Sequence, residues 1–143
     1  MSTYSILLVE DHAGFAKALL NMLSQNPTLN IVAVAESAEA AQQYLRDARI
    51  DLVLVDYSLP DTNGISLLQT LRHDHPELPC AILSGHLSLQ HARRALEAGA
   101  RGYLIKDNPG GILNGIQHIL RGEIYVSEEL RNLGSTDLLT GAT

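Results

Sequence analysis

Five short apolar segments of this chain are followed by polar residues, and four of those junctions carry groups suited to phosphoryl chemistry. The first segment ends at Glu10 and Asp11, another at Asp56, another at Ser84 and the last at Lys106. Together these side chains supply three carboxylates, a hydroxyl and an ammonium group. Such a set can hold a divalent cation and handle one phosphoryl group. These groups can act as one site only if the fold brings them together.

The apolar segments alternate with segments in which apolar residues recur at helical spacing, so we interpret them as buried parallel strands. Five βα units are too few to close an eight-stranded barrel. We therefore predict an α/β fold, a flavodoxin-like (βα)5 doubly wound parallel sheet of five strands in the order 2-1-3-4-5, with helices on both faces. That order places strands 1 and 3 side by side, so Glu10, Asp11 and Asp56 are expected at one edge of the sheet.

Composition narrows the possible classes of protein. The 143 residues suggest one domain, and the net charge of -6 argues against binding of nucleic acid by general electrostatics. The single cysteine, Cys80, excludes an intramolecular disulfide and a multi-cysteine metal site. The N-terminus lacks the pattern of a signal peptide, and no apolar stretch approaches the ~20 residues of a membrane span. We expect a cytoplasmic protein with no membrane partner.

Residues 1–122 form the predicted domain, and the rest of the chain has a different character. Residues 123–133 predict a short extended hook followed by a helical turn with acidic residues at its start. Residues 134–143 have the Gly, Ser and Thr content of an interdomain linker or tail. This linker-like ending favours a fragment of a longer protein.

Three motifs carry a resemblance to a known family: LLVEDH at the first strand, LVLVDYSLPDTNG at the third and GYLIKD at the fifth. Over residues 4–121 the chain resembles a response-regulator receiver domain, closest to the NarL/LuxR-type subfamily of two-component regulators. The resemblance implies that Asp56 is the nucleophile, which accepts a phosphoryl group from a sensor histidine kinase or a phosphotransfer protein. Such a domain catalyses its own phosphorylation and dephosphorylation and turns over no external metabolite.

The carboxylates are the candidate metal ligands. Glu10, Asp11 and Asp56 would repel one another if clustered, and Mg²⁺ would relieve that repulsion while binding phosphoryl oxygens. The resemblance implies that the backbone carbonyl of Ser58 completes the protein's ligands to Mg²⁺.

Lys106 and Ser84 are the candidate groups that stabilise charge on the phosphoryl oxygens. The resemblance also implies that Tyr103 is a switch residue whose side chain follows the Ser84 hydroxyl. Tyr103 lies three residues before Lys106, so its side chain is expected on the opposite face of the strand. Asp107 stands where most receivers have proline, and the isomer of the Lys106–Asp107 bond stays open.

The NarL/LuxR-type resemblance implies transcription regulation by a C-terminal helix-turn-helix domain outside these residues. Nucleic acid would be bound only through that domain. A homodimer formed on phosphorylation through the fourth helix, fifth strand and fifth helix is a further expectation.

Three other classes of protein are alternatives to this interpretation. A receiver-like docking module that is never phosphorylated is the main alternative. An FMN-binding protein of the same topology is disfavoured, because the Glu10-Asp11-His12 loop repels anions. A phosphatase with an aspartyl nucleophile would need a second Asp at position 58, where the chain has Ser58.

Overall fold

Strands and helices alternate along the chain as the apolar pattern predicts, in a computed structural model that describes residues 3–133. The predicted linker at 134–143 lies outside those residues. The strands are β1 Tyr4–Val9, β2 Leu29–Ala35, β3 Leu52–Asp56, β4 Cys80–Ser84, β5 Gly102–Ile105 and β6 Tyr125–Val126. The helices are α1 Ala13–Leu23, α2 Ala38–Asp47, α3 Gly64–Asp74, α4 Leu89–Glu97, α5 Pro109–Leu120 and α6 Glu128–Leu133.

The strands form one parallel sheet in the order β2-β1-β3-β4-β5-β6. The predicted fold class and the order of the first five strands are confirmed, but the predicted number of strands is wrong by one. The hook expected after residue 122 is the sixth strand, in which Tyr125 pairs with Gly102 and Val126 with Tyr103. A strand of two residues is too short for side-chain alternation to reveal it. Strand β5 is therefore covered on both edges.

Helices cover both faces of the sheet, and each face has its own apolar core. Helices α1 and α5 pack on the face that includes Leu8, Leu54 and Leu104. Helices α2, α3 and α4 pack on the opposite face. Tyr103 lies in that second core, and Leu130 of α6 joins it. The strands are buried on both faces, which explains their nearly continuous apolar sequences.

The parallel pairing brings the carboxyl ends of β1, β3, β4 and β5 to one edge of the sheet. Val9 pairs with Val55, so the residues that follow β1 lie beside Asp56. Asp56 in turn pairs with Leu83, next to Ser84. Within residues 3–133, none of the helices combines the length and apolarity that a membrane crossing requires.

Candidate functional site

Three carboxylates meet at the carboxyl edge of the sheet. Glu10 and Asp11 follow β1, and Asp56 is the last residue of β3. Each offers one carboxylate oxygen, and these atoms all lie within 4.8 Å of one another. Glu10 and Asp56 are buried, whereas Asp11 is exposed. The structure therefore brings together the three side chains that the sequence proposes as metal ligands.

Lys106 enters this cluster from the end of β5. Its Nζ lies 2.7 Å from Glu10 Oε1 and 3.1 Å from Asp56 Oδ2. Burial by itself lowers the pKa of Lys106, but the contacts with Glu10 and Asp56 outweigh it, and the net direction is upward. The side chain therefore stays a cation, positioned between two of the three carboxylates.

One ammonium group does not neutralise the cluster. Burial raises the pKa of Glu10, and the neighbouring Asp56 raises it further, against the opposing effect of Lys106. With all three carboxylates ionised, negative charge remains after Lys106 is counted. A small divalent cation that prefers oxygen ligands fits this set, and Mg²⁺ is the cation of that kind that is usually shared with phosphate oxygens.

The loop after β3 fixes the orientation of the Asp56 carboxylate. The backbone N–H of Ser58 donates to Asp56 Oδ1 at 3.1 Å, while Oδ2 faces Lys106. The loop closes where Gly64 N–H donates to the Tyr57 carbonyl at 2.7 Å. A Cβ on Gly64 would overlap the carbonyl oxygen of Asp56, so only glycine lets α3 begin this close to the end of β3.

The same loop also caps a neighbouring helix. Asp61 accepts hydrogen bonds from the N–H groups of Ala38 at 3.0 Å and Glu39 at 3.2 Å, at the start of α2. The bond from Ala38 is the main reason that the pKa of Asp61 is lowered. The capping carboxylate comes from another part of the chain, so the usual sequence signature of a helix N-cap does not reveal it.

A second set of contacts leads away from the cluster through the loop after β4. Ser84 is buried, and its Oγ accepts a hydrogen bond from the His86 N–H at 3.0 Å. The His86 carbonyl accepts one from the Tyr103 hydroxyl, also at 3.0 Å. The backbone of His86 thus joins the two proposed switch residues.

Tyr103 is fully buried, and burial raises the pKa of its hydroxyl. It lies on the α2–α4 face of the sheet, opposite to the α1–α5 face on which Lys106 lies, as predicted. Tyr103 does not lie on an edge strand, because β6 covers β5 and Val126 packs in the same core.

Aromatic rings connect the Asp56 loop to α4. Tyr57, the residue after Asp56, stacks on His91 with ring centroids 4.3 Å apart and planes at 17°. The His86 ring meets His91 edge-on at 6.0 Å. Burial lowers the pKa of His91, with His86 and Arg94 adding to the effect. A neutral His91 ring at near-neutral pH suits the stack with Tyr57.

The structure places every predicted site residue at or next to this edge, but it does not place them all in mutual contact. Glu10, Asp11, Asp56 and Lys106 form one cluster. Ser84 lies at the adjacent strand end and bonds to His86. Ser58 meets Asp56 through its N–H, and its carbonyl as a metal ligand stays a prediction. The Lys106–Asp107 bond is trans, because the peptide bonds of residues 3–133 include no cis bond.

Sequence reasoning missed contributions that depend on the tertiary fold. The roles of the His86 backbone and the Asp61 carboxylate follow from distant segments and carry no local signal. Phe15 belongs to a pattern of apolar residues at helical spacing, and that pattern does not reveal the contact of its ring with Lys106. Gly64 did have a signal, since glycine after Asn63 at a helix start indicates a close backbone approach.

Comparisons with known proteins agree with one another. The family model of the response regulator receiver domain matches residues 6–117. The DNA-binding transcriptional activator DevR/DosR of Mycobacterium tuberculosis is 37% identical over 105 residues, which are 73% of this chain and 48% of that protein. The nitrate/nitrite response regulator protein NarL of Escherichia coli is 29% identical over 127 residues, 88% of this chain and 59% of that protein.

A solved structure of a LuxR-family two-component response regulator from Aurantimonas sp. SI85-9A1 has a TM-score of 0.87 and 30% identity. The match covers 92% of this chain and 94% of that one. The chain spans about half of the length of DevR/DosR and about three fifths of NarL.

Proposed function

This chain belongs to the response regulator receiver family, and from that premise we propose that Asp56 accepts a phosphoryl group from a sensor histidine kinase or a phosphotransfer protein. One observation carries the proposal. One oxygen of the buried Asp56 carboxylate lies within 4.8 Å of one carboxylate oxygen each of Glu10 and Asp11. Its Oδ2 lies 3.1 Å from the Nζ of Lys106. A nucleophile, a cation site and a positive charge for the phosphoryl oxygens thus share one edge of the sheet.

In the proposed transfer, a lone pair of an Asp56 carboxylate oxygen attacks phosphorus and forms the aspartyl phosphate. The phosphorus–nitrogen bond of the donor phosphohistidine breaks, and its electron pair stays with the imidazole, which takes up a proton. Oδ1 accepts one hydrogen bond and Oδ2 one ion-pair contact, so each oxygen retains a lone pair. Lys106 and Ser84 stabilise the charge that spreads over the equatorial phosphoryl oxygens.

Glu10, Asp11, Asp56 and the Ser58 carbonyl are the proposed protein ligands of Mg²⁺. When bound, Mg²⁺ neutralises charge on the transferring phosphoryl group. The residues themselves keep the acidic oxygens convergent: His12 N–H holds Glu10 Oε2 at 3.0 Å. The domain would thus catalyse its own phosphorylation and slow dephosphorylation, without an external metabolite.

We propose that phosphorylation switches a downstream output through Ser84, His86 and Tyr103. The hydrogen bonds of the His86 backbone give Ser84 and Tyr103 a direct structural connection. The names of relatives such as DevR/DosR support transcription regulation as the output. In this proposal, residues 1–122 are the phosphoacceptor unit and a DNA-binding domain belongs to the longer parent protein. A dimer formed through α4, β5 and α5 on phosphorylation is part of the same proposal.

The test is the intact mass of the protein after incubation with acetyl phosphate, with and without Mg²⁺. We expect a gain of one phosphoryl group in the wild type with Mg²⁺ and no gain in Asp56→Asn. Asp47→Asn is the matched control, because Asp47 is an exposed carboxylate at the far end of α2. Absence of phosphorylation under all conditions would favour the unphosphorylated docking module instead.

A further inference from the structure

Lys106 is held from a third side by an aromatic ring. Its Nζ lies 4.8 Å from the centroid of the Phe15 ring, which belongs to the first turn of α1. The other two contacts of the ammonium are the ion pairs with Glu10 and Asp56. The ring therefore supplies the one uncharged partner among the three.

The position of this ring is fixed by the groove between α1 and α5. The lining of that groove includes Phe15, Met22, Lys106 and Pro109, together with the buried Ile112. Phe15 itself is partly buried and packs against the α1–α5 core. The ring thus lies between the α1–α5 core and the Lys106 ammonium.

An aromatic face attracts a cation through its quadrupole and takes no proton from it. The two carboxylates, in contrast, would both change in the proposed phosphoryl transfer: Asp56 would become an acyl phosphate, and Glu10 would be a ligand of Mg²⁺. We propose that Phe15 is a positioning residue whose aromatic face keeps the Lys106 ammonium beside Asp56 while the phosphoryl oxygens replace the carboxylates as its partners. This inference rests on the proposed function, and it deepens that function.

The expected effect follows from the strength of such contacts. A leucine at position 15 would fill much of the groove but has no quadrupole. We expect Phe15→Leu to lower the rate constant of phosphorylation by roughly two- to fivefold, which is about 0.5–1 kcal/mol at about 1.36 kcal/mol per tenfold. Phe15→Tyr retains the aromatic face and should restore most of the rate.

A fluorination series separates the electrostatic effect from packing. Phenylalanines with one, two and three ring fluorines at position 15 keep nearly the same shape while the quadrupole weakens stepwise. The rate constant with acetyl phosphate and Mg²⁺ should fall in that order. Met22→Leu is the control, because Met22 lines the same groove and makes no cation–π contact with Lys106 among the described residues. Its rate should match the wild type.

A second measurement needs neither metal nor turnover. In the metal-free protein, the Lys106 Hε protons should show an upfield ring-current shift in NMR spectra. That shift should disappear in Phe15→Leu and persist in Met22→Leu.

The outcomes separate the two proposals. Equal rates across the fluorination series, with Asp56 still phosphorylated, would overturn the role of Phe15 and leave the proposed function intact. Failure of the wild type and of every variant to take up a phosphoryl group would overturn the proposed function itself. A wild-type Lys106 spectrum without the ring-current shift would also refute the positioning role.

Discussion

Removing the hydroxyl of Tyr103 tests whether the hydrogen bonds of the His86 backbone connect Ser84 to β5. The hydroxyl donates a 3.0 Å hydrogen bond to the His86 carbonyl, while the ring is fully buried. Tyr103→Phe removes this bond and keeps the ring. Because His86 is exposed, its carbonyl can turn to water, so the loss should stay near the net value of one hydrogen bond, about 0.5–1.5 kcal/mol. Tyr103→Ala should cost more, about 3–5 kcal/mol, because it also leaves a cavity.

The assay is urea unfolding of the wild type and Tyr103→Phe, combined with amide hydrogen exchange in the loop after β4. We expect the free energy of unfolding to fall by about 1 kcal/mol and the slope with urea to stay unchanged. Exchange should accelerate at His86 and Leu87, the residues that the bond restrains. Phosphorylation of Asp56 should persist, because Tyr103 lies on the face of the sheet opposite to the acidic cluster.

Tyr44→Phe is the control for this experiment. Tyr44 is partly buried on α2, and within residues 3–133 its hydroxyl has no hydrogen-bond partner. It should change neither stability nor loop exchange. If Tyr103→Phe were as mild as this control in both measurements, the bond to His86 would not connect the loop to β5. The proposed path from Ser84 to Tyr103 would then be refuted.

Three further changes test other parts of the structure. Gly64→Ala should lower the free energy of unfolding, measured by thermal melts, by about 1–3 kcal/mol, because its Cβ would meet backbone atoms. Gly14→Ala is the control: position 14 has open space around it, so this change should be neutral or stabilising. Glu129→Ala removes the acceptor of the 3.1 Å hydrogen bond from Asn108 Nδ2. We expect faster amide hydrogen exchange that is confined to α6. Exchange at the wild-type rate would show that this hydrogen bond does not stabilise α6. Burial raises the pKa of Cys80 from 9.0 to about 12, so the unfolded state loses its thiol proton at a lower pH than the folded state. The free energy of unfolding should therefore fall as pH rises above 9, by at most about 1.4 kcal/mol per pH unit. Urea titrations at several pH values should show this dependence, and it should be weaker in Cys80→Ala.

Much of the fold could be predicted because its strands are buried on both faces. Such strands appear in the sequence as uninterrupted apolar runs, and the polar residue after each run marks the carboxyl edge of the sheet. The clustering of Glu10, Asp11 and Asp56 then follows from the strand order alone. Their chemical roles stay predictions, which the phosphorylation assay with Asp56→Asn tests.

The features that escaped prediction are those fixed by long-range contacts. Strand β6 is only two residues long, and it is defined by its pairing with β5 and by the packing of Val126 and Leu130 beside Tyr103. Helix α2 is capped by its own Ser37, but the additional acceptor for its first N–H groups is Asp61, 23 residues away from Ala38. The contact of Phe15 with Lys106 joins α1 to the end of β5. No local pattern specifies any of these, because each needs two segments that only the folded chain brings together.

Strand β5 contacts the proposed site through one of its faces and residues of β6 and α6 through the other. Lys106 reaches the carboxylates on the α1 side, while Tyr103 packs with Val126 and Leu130 on the α4 side. The Ser127 N–H also donates to the Tyr103 carbonyl at 3.0 Å, so both the ring and the backbone of Tyr103 contact the segment that contains β6 and α6. Any movement of the Tyr103 ring would therefore take place within the core to which Val126 and Leu130 belong. In the proposed switch, β6 and α6 are therefore the C-terminal elements that a change at Ser84 would reach through Tyr103.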